Sequence, residues 1–272
     1  MRGINDRFIS DLQSGELACF LQRVKDNPKL AVCIRGDYIN IYYRGGNLLR
    51  ITQKRQGYLF EFDEKYCLGK KDTSGYEIIK AMDKHSPTVY ESHFERLIHE
   101  MDTWFSEHPK PERQYQHNLI ISNPSVIDIE YQIGKGKRFD MLMVQDGKLI
   151  IVENKYGQGA ITGSSGLAKH YRDICDAIKD EQVLSEMKKS VIRISENKFK
   201  LGLTDEKHTA WEIDSAATEI LFLVAGFNPK SETIKNEVQL MDKSIPARLL
   251  LFETEEYMID YSKTVDLFAY GN

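Results

Sequence analysis

Alternating apolar and polar residues, with short apolar runs, predict the strands of this chain. Two neighbouring runs, RFDMLMV (residues 138–144) and LIIVENKYG (residues 149–157), have the length and composition of buried strands. The residues between them read QDGK, and Asp-Gly is the strongest short signal for a tight hairpin turn. The two strands are therefore predicted to be antiparallel neighbours. Further apolar runs near Glu219 to Ala225 and Arg248 to Phe252 predict a mixed sheet of at least four strands.

The first part of the chain has a pattern of its own. After a short helical segment around Ser14 to Asp26, residues 30–62 alternate polar and apolar side chains, with turns at Gly36-Asp37 and Gly45-Gly46. This pattern is typical of a β-meander. A polar stretch from Lys70 to Ser86 then suits a connector, so we predict a β-rich N-terminal module over residues 1–85 and a second domain over residues 86–272.

The second domain is predicted to be an α/β domain whose mixed sheet is flanked by helices. Residues 88–108 predict one long helix, with an apolar face at helical spacing. Residues Leu184 to Trp211 are rich in Lys, Glu, Ser and Asn, and they are interpreted as an insertion or a mobile excursion. The residues expected to be buried on the long helix are Phe94, Leu97, Ile98, Met101 and Phe105.

Charged residues in the central strand pair point to chemistry. Side chains alternate along a strand, so Glu153 and Lys155 share one face, and the hairpin brings Asp140 to the same place. Hard cations such as Mg²⁺ or Mn²⁺ prefer oxygen ligands, which Asp140, Glu153 and the backbone carbonyl of Asn154 could supply. Lys155 would position an attacking water or steady the transition state.

The pattern resembles the PD-(D/E)XK nuclease superfamily, which has the restriction-endonuclease-like fold. The signature of that superfamily is an Asp followed by Glu-x-Lys on paired strands, and this chain has Phe139-Asp140 and Glu153-Asn154-Lys155. Phe139 stands where Pro is usual. The resemblance implies that Asp140, Glu153 and Lys155 are catalytic and that the metal ligands are Asp140, Glu153 and the Asn154 carbonyl.

The resemblance also implies contributions from two helices. In that superfamily a helix ahead of the first strand often adds a catalytic Glu to the metal site. Residues 111–122, PERQYQHNLIIS, offer Glu112 for this role, with Gln116 one turn later as a substrate contact. Glu95 and Glu100 are rivals for this role. The helix after the Glu-x-Lys strand often projects polar residues toward the site, and residues 166–180 offer substrate-binding candidates there: Lys169, His170, Tyr171 and Arg172.

Each assignment has a structural alternative. Glu112 follows Pro111, and a helix N-terminus favours both residues whatever the function. Lys169 to Arg172 could be the solvated face of an amphipathic helix. The intact acids favour a metal-dependent nuclease acting on nucleic acid, with DNA preferred. The family roles implied are restriction, phage defence or repair. The alternative is a catalytically silent nuclease-like subunit that binds nucleic acid or serves as a scaffold in a larger assembly.

Charge and composition refine this picture. The net charge is −4, but residues 1–60 hold ten Lys or Arg and five Asp or Glu, so the remainder carries −9. A basic module could engage a phosphate backbone. Arg44 is the substrate-binding candidate there, within a set of aromatic and basic residues that could stack bases and hold phosphates: Arg35, Tyr38, Tyr42, Tyr43, Arg44 and Arg50.

The sequence does not indicate a zinc protein, a nucleotide-binding protein or a membrane protein. The four cysteines form no CxxC pair, and the seven histidines form no HExxH, so a zinc site is not indicated. The sequence has no Walker A or GxGxxG motif. No run is long enough to span a bilayer and no signal peptide is evident, so we expect a cytoplasmic protein without membrane contact. A homodimer or a partner protein is left open.

Overall fold

The chain forms two compact units. The computed structural model describes residues 1–68, 74–133, 137–209, 213, 217–228, 231–252 and 256–270. The N-terminal unit comprises Arg2–Ile121 and Asn197–Asp205, and the C-terminal unit comprises Met1, Ser122–Glu196 and Glu206–Asn272.

The chain is of the α/β class, with two sheets flanked by helices. The helices of the described residues are α1 (Asp6–Gln13), α2 (Ala18–Asp26), α3 (Ser74–Lys80), α4 (Pro87–Ser92), α5 (Phe94–Glu107), α6 (Pro111–Ser122), α7 (Leu167–Ile178), α8 (Glu181–Lys200), α9 (Thr233–Val238) and α10 (Leu267–Tyr270). The strands are β1 (Leu30–Ile34), β2 (Tyr38–Tyr43), β3 (Gly46–Gln53), β4 (Tyr58–Glu61), β5 (Val126–Ile133), β6 (Lys137–Gln145), β7 (Lys148–Tyr156), β8 (Glu219–Ala225), β9 (Ala247–Phe252) and β10 (Val265–Asp266).

The N-terminal unit is built on the predicted meander. Its four strands pair antiparallel in the order β1-β2-β3-β4. The second turn falls one residue earlier than predicted, because Arg44 and Gly45 take the positive φ angles, 51° and 77°, of a tight hairpin turn. Gly45 is required there, since a Cβ atom would lie 2.5 Å from the carbonyl oxygen of Arg113 in α6.

The N-terminal unit extends well past the predicted boundary near residue 85. The reason is an aromatic cluster, in which the Tyr66 ring contacts Trp104 and Phe105 of α5 at centroid distances of 5.3 and 5.9 Å. Met101 of α5 also packs against Gly46 of β3. Burial of this apolar face joins α5 to the first sheet.

The predicted long helix of residues 88–108 is two helices. His93 ends α4 with φ −103° and ψ 6°, and both its backbone N–H and its ring Nδ1 bond to the carbonyl of Val89. A side chain that competes for backbone groups in this way interrupts a helix. Of the five residues expected to be buried on the longer helix, α5, Ile98 is half-buried. The other four are buried: Phe94, Leu97, Met101 and Phe105.

The C-terminal unit contains the predicted mixed sheet, extended to six strands. Their order is β10-β9-β8-β7-β6-β5, with β7, β8 and β9 parallel and the outer pairs antiparallel. The Asp146-Gly147 turn between β6 and β7 has φ angles of 50° and 73°, as the predicted hairpin requires. Buried strands β7 and β8 form the centre of this sheet.

The stretch interpreted as an insertion contains α8 instead. This helix buries Met187, Val191 and Ile194, which recur at i, i+4 and i+7. The hydroxyl of Tyr131 on β5 donates to Ser190 of α8 at 3.3 Å, which places α8 against one face of the sheet. Within the described residues, no helix combines the length and the apolar character needed to cross a bilayer.

Candidate functional site

The candidate site lies where β6 and β7 diverge. These strands pair from the turn at Gln145 and Lys148 as far as Met141 opposite Val152. Beyond that pair, β6 continues against β5 and β7 continues against β8. Asp140 spans the resulting strand fork, because its Oδ2 accepts a hydrogen bond of 2.9 Å from the backbone N–H of Asn154.

Glu153 occupies the β7 side of the strand fork. Its side chain is buried, Oε1 accepts a hydrogen bond of 2.9 Å from Lys155 Nζ, and His170 Nδ1 lies 2.7 Å from the same oxygen. Oε2 is buried and has no hydrogen-bond partner among the described residues. A buried carboxylate oxygen without a partner is costly, so this atom is a natural position for a cationic ligand.

The surroundings of Asp140 raise its pKa from 3.8 to about 7. Burial is the largest cause and the nearby Glu153 carboxylate adds to it, whereas the Asn154 N–H, Lys155 and His170 oppose the rise. Lys155 and His170 therefore offset only part of the combined effect of burial and of the Glu153 charge on Asp140. A strongly perturbed acid in such a place is a candidate for function.

Helix α7 carries His170, and hydrogen bonds to other segments fix the helix at two residues close to His170. The backbone N–H of Ala168 donates to Glu237 of α9 at 2.9 Å. The Tyr171 hydroxyl donates to the carbonyl of Ile245 at 3.0 Å and accepts from its N–H at 2.9 Å. These bonds fix the turn of α7 that carries His170.

The oxygen donors at the strand fork fit a hard divalent cation. Asp140 and Glu153 provide two carboxylates, the number that Mg²⁺ commonly takes from a protein. In an extended strand the N–H and C=O of one residue point the same way, so the Asn154 carbonyl also faces the fork. Among the described residues, no group of three or more His, Cys, Asp or Glu side chains is placed to hold a metal. A cation here would therefore also need backbone, water or substrate oxygens.

The other predicted residues of α7 differ in their surroundings. Tyr171 is buried, and its hydroxyl is used by Ile245, which gives it a structural role. Lys169 is exposed and pairs with Asp173, which also pairs with Lys137 at 3.8 Å. Arg172 is exposed. Only His170 of this group reaches the acids.

The pairing of Asp173 links α7 to the start of β6. Burial opposes ionisation of Asp173, but the hydrogen bond from Lys169 and the charges of Lys169 and Lys137 outweigh it and lower the pKa. Sequence reasoning did not single out Asp173, Lys137 or Glu237. The i,i+4 spacing of Lys169 and Asp173 on α7 was a usable local signal for Asp173. Lys137 and Glu237 have partners that are distant in sequence, so no local pattern could indicate them.

The candidates on the preceding helices belong to the N-terminal unit. Glu112 is exposed in the first turn of α6, and Gln116 is half-buried. The rival Glu95 pairs with Arg23 at 2.8 Å, and Glu100 is buried and lies 3.8 Å from Arg96. The contribution of Glu112 to the metal shell and the substrate contact of Gln116 stay predictions.

The aromatic and basic residues of the meander do not form an open stacking surface. Arg35, Tyr42 and Tyr43 are buried. The guanidinium of Arg50 lies 4.2 Å from the ring centroid of Tyr38, and that of Arg44 pairs with Asp102. This packing indicates that most of the set stabilises the first sheet.

Comparisons of the chain with protein-family models, with curated proteins and with solved structures give no match. The assignment of the site therefore depends on its residues and their geometry.

The raised pKa of Asp140 predicts a pH-dependent stability. The folded state holds this proton more tightly than the unfolded state, so Asp140 should lower the free energy of unfolding progressively as pH rises from about 4 to about 7. Above pH 7 its effect should level off. Urea unfolding without metal should show wild type losing stability across this range relative to Asp140→Asn. A constant difference between the two proteins would contradict the shift.

Proposed function

We propose that the protein is a metal-dependent nuclease that hydrolyses phosphodiester bonds, with DNA as the favoured substrate and Mg²⁺ or Mn²⁺ as the cofactor. The observation that carries this proposal is the pair of acids at the strand fork beside a buried lysine: Asp140 is half-buried, and Glu153 is buried with one oxygen that has no hydrogen-bond partner among the described residues. Hydrophobic residues would stabilise the sheet better at these positions. The charges are therefore better explained by chemistry than by folding.

The residues would divide the chemistry among them. Asp140 and Glu153 would hold the cation, which supplies positive charge next to the scissile phosphate and favours ionisation of water. Lys155 has three N–H groups, of which one donates to Glu153. The other two can donate to a phosphate oxygen or to the attacking water. His170 keeps the Glu153 carboxylate oriented.

Exposed basic residues next to the site support a nucleic-acid substrate. Lys137 and Lys169 are exposed on β6 and α7 and share one carboxylate, that of Asp173, so these two positive charges are matched by a single negative charge. Arg172 adds a further exposed positive charge. Such groups bind phosphates without regard to base sequence. Roles in restriction, phage defence or repair are all compatible with this chemistry.

Cleavage assays test the proposal. Wild type should cut at least one member of a panel of single- and double-stranded DNA and RNA when Mn²⁺ or Mg²⁺ is present, and EDTA should stop it. Asp140→Asn and Glu153→Gln should reduce the rate at least about a hundredfold, and Lys155→Ala by a similar factor. Asp176→Asn, on an exposed position of α7, should cut like wild type.

The same experiment separates the alternatives. Full activity in Asp140→Asn or Glu153→Gln would disprove the mechanism. Metal binding without cleavage of any substrate would favour the silent nuclease-like subunit, or an enzyme that needs a partner protein or a second copy of the chain.

The contact of His170 Nδ1 with Glu153 Oε1, at 2.7 Å, predicts an effect on metal affinity. Mutation of a residue that holds a metal-ligating side chain in place typically lowers metal affinity by about 10–100-fold. We therefore expect His170→Ala to weaken Mn²⁺ binding by about this factor in isothermal titration calorimetry. His170→Asn should recover part of the affinity, because its amide can donate to the same oxygen. Unchanged affinity in His170→Ala would show that His170 only fills space.

A further inference from the structure

A polar pocket lies within the N-terminal unit, apart from the residues of the proposed nuclease site. It has a volume of about 370 Å³, within the range of small-molecule sites. Its lining comes from the residue before β1, from the end of β2 and the turn that follows it, and from α5 and α6. The polar lining residues that the argument uses are Lys29, Tyr43, Arg44, Asp102, Gln114 and Asn118.

A directional hydrogen-bond network connects five of these residues. The Tyr43 hydroxyl donates to both oxygens of Asp102, at 3.0 and 3.2 Å, and Arg44 Nη1 donates to Oδ1 at 3.0 Å. Arg44 Nε donates to Gln114 Oε1 at 3.3 Å. Gln114 Nε2 then donates to Asn118 Oδ1 at 2.9 Å. Each of these bonds occupies one lone pair of an acceptor oxygen.

The groups of this pocket that are not used within the network are mainly hydrogen-bond donors, which a ligand can occupy. Both amide carbonyl oxygens and both carboxylate oxygens already accept bonds, whereas Asn118 Nδ2 and Arg44 Nη2 have no hydrogen-bond partner among the described residues. Lys29 adds three more N–H groups on an exposed side chain. A pocket of donors with two cations and one carboxylate suits a ligand rich in acceptors and negatively charged.

The donors are held in place before a ligand arrives. Arg44 is fixed by Asp102 and Gln114, and its guanidinium lies 5.3 Å from the ring centroid of Phe105. Burial and the bond to Asp102 raise the pKa of Tyr43 to about 12, so its hydroxyl remains a donor at neutral pH. The carbonyl of Lys29 bonds to the ring of His117 in α6 at 2.8 Å, which fixes the backbone there. Preorganised donors lose little entropy on binding.

We propose that this pocket binds a phosphate group through Lys29, Arg44 and Asn118. A planar guanidinium, an ammonium group and an amide together match the several acceptor oxygens of phosphate. The phosphate could belong to a small molecule or to the end of a nucleic-acid strand. The proposal does not depend on cleavage, because all the lining residues lie in the N-terminal unit and the test measures binding.

Binding should be measured by calorimetry on the full chain in metal-free buffer, so that cleavage does not interfere. The ligands are inorganic phosphate, a DNA oligonucleotide with a 5′-phosphate, and the same oligonucleotide with a 5′-hydroxyl. Lys29→Glu should weaken the binding of phosphate-bearing ligands about tenfold or more, and Asn118→Ala should weaken it less. Lys54→Glu, an equal charge change at an exposed turn, is the matched control and should alter affinity less than about twofold.

The ligands distinguish the source of the phosphate. Tight binding of the 5′-phosphorylated strand alone would support the pocket and assign it to a nucleic-acid end, whereas comparable binding of inorganic phosphate would support a small ligand. Absence of binding by every phosphate-bearing ligand would overturn the proposal. An equal loss in Lys29→Glu and Lys54→Glu would overturn it as well, because the attraction would then be nonspecific. Failure of the nuclease proposal would appear instead in the cleavage assays.

Discussion

Two carboxylates at a strand fork, Glu153 buried and Asp140 half-buried, are the constraint on which the candidate site depends. Asp140 and Glu153 lie in an apolar sheet, where an ionised acid without partners costs several kcal/mol or more. The sheet accommodates them by letting β6 and β7 separate, so that Asp140 takes the backbone N–H of Asn154 while Glu153 takes Lys155 and His170. One oxygen of Glu153 is still left without a partner among the described residues. A divalent cation would supply the missing positive charge.

The surrounding structure maintains this arrangement. Helix α7 brings His170 to Glu153, and bonds to Glu237 and Ile245 hold the helix on either side of that residue. Asp173 links the same helix to the start of β6. The acids are therefore supported by three segments that are distant in sequence. Such support is what a site needs if its ligands must keep their orientation while a substrate binds.

Local patterns in the sequence predicted the parts of the fold that depend on local chemistry. The Asp146-Gly147 turn, the meander and four strands of the second sheet all follow from periodicity and turn residues. Strand β5 carried a usable signal, since Ile127, Ile129, Tyr131 and Ile133 alternate with polar residues. The break at His93 and the extent of the N-terminal unit depend on competing hydrogen bonds and on packing between distant segments. The sequence placed Asp140, Glu153 and Lys155 together, but the contact of His170 with Glu153 required the fold.

The most direct test of the account is to locate the metal. Crystals of the wild-type protein soaked in Mn²⁺ should be examined by anomalous diffraction at the manganese edge. We expect a peak at the strand fork, about 2.1 Å from oxygens of both Asp140 and Glu153. A peak elsewhere, or none at the fork under conditions in which the protein cleaves nucleic acid, would contradict the claim that these two acids hold a catalytic cation.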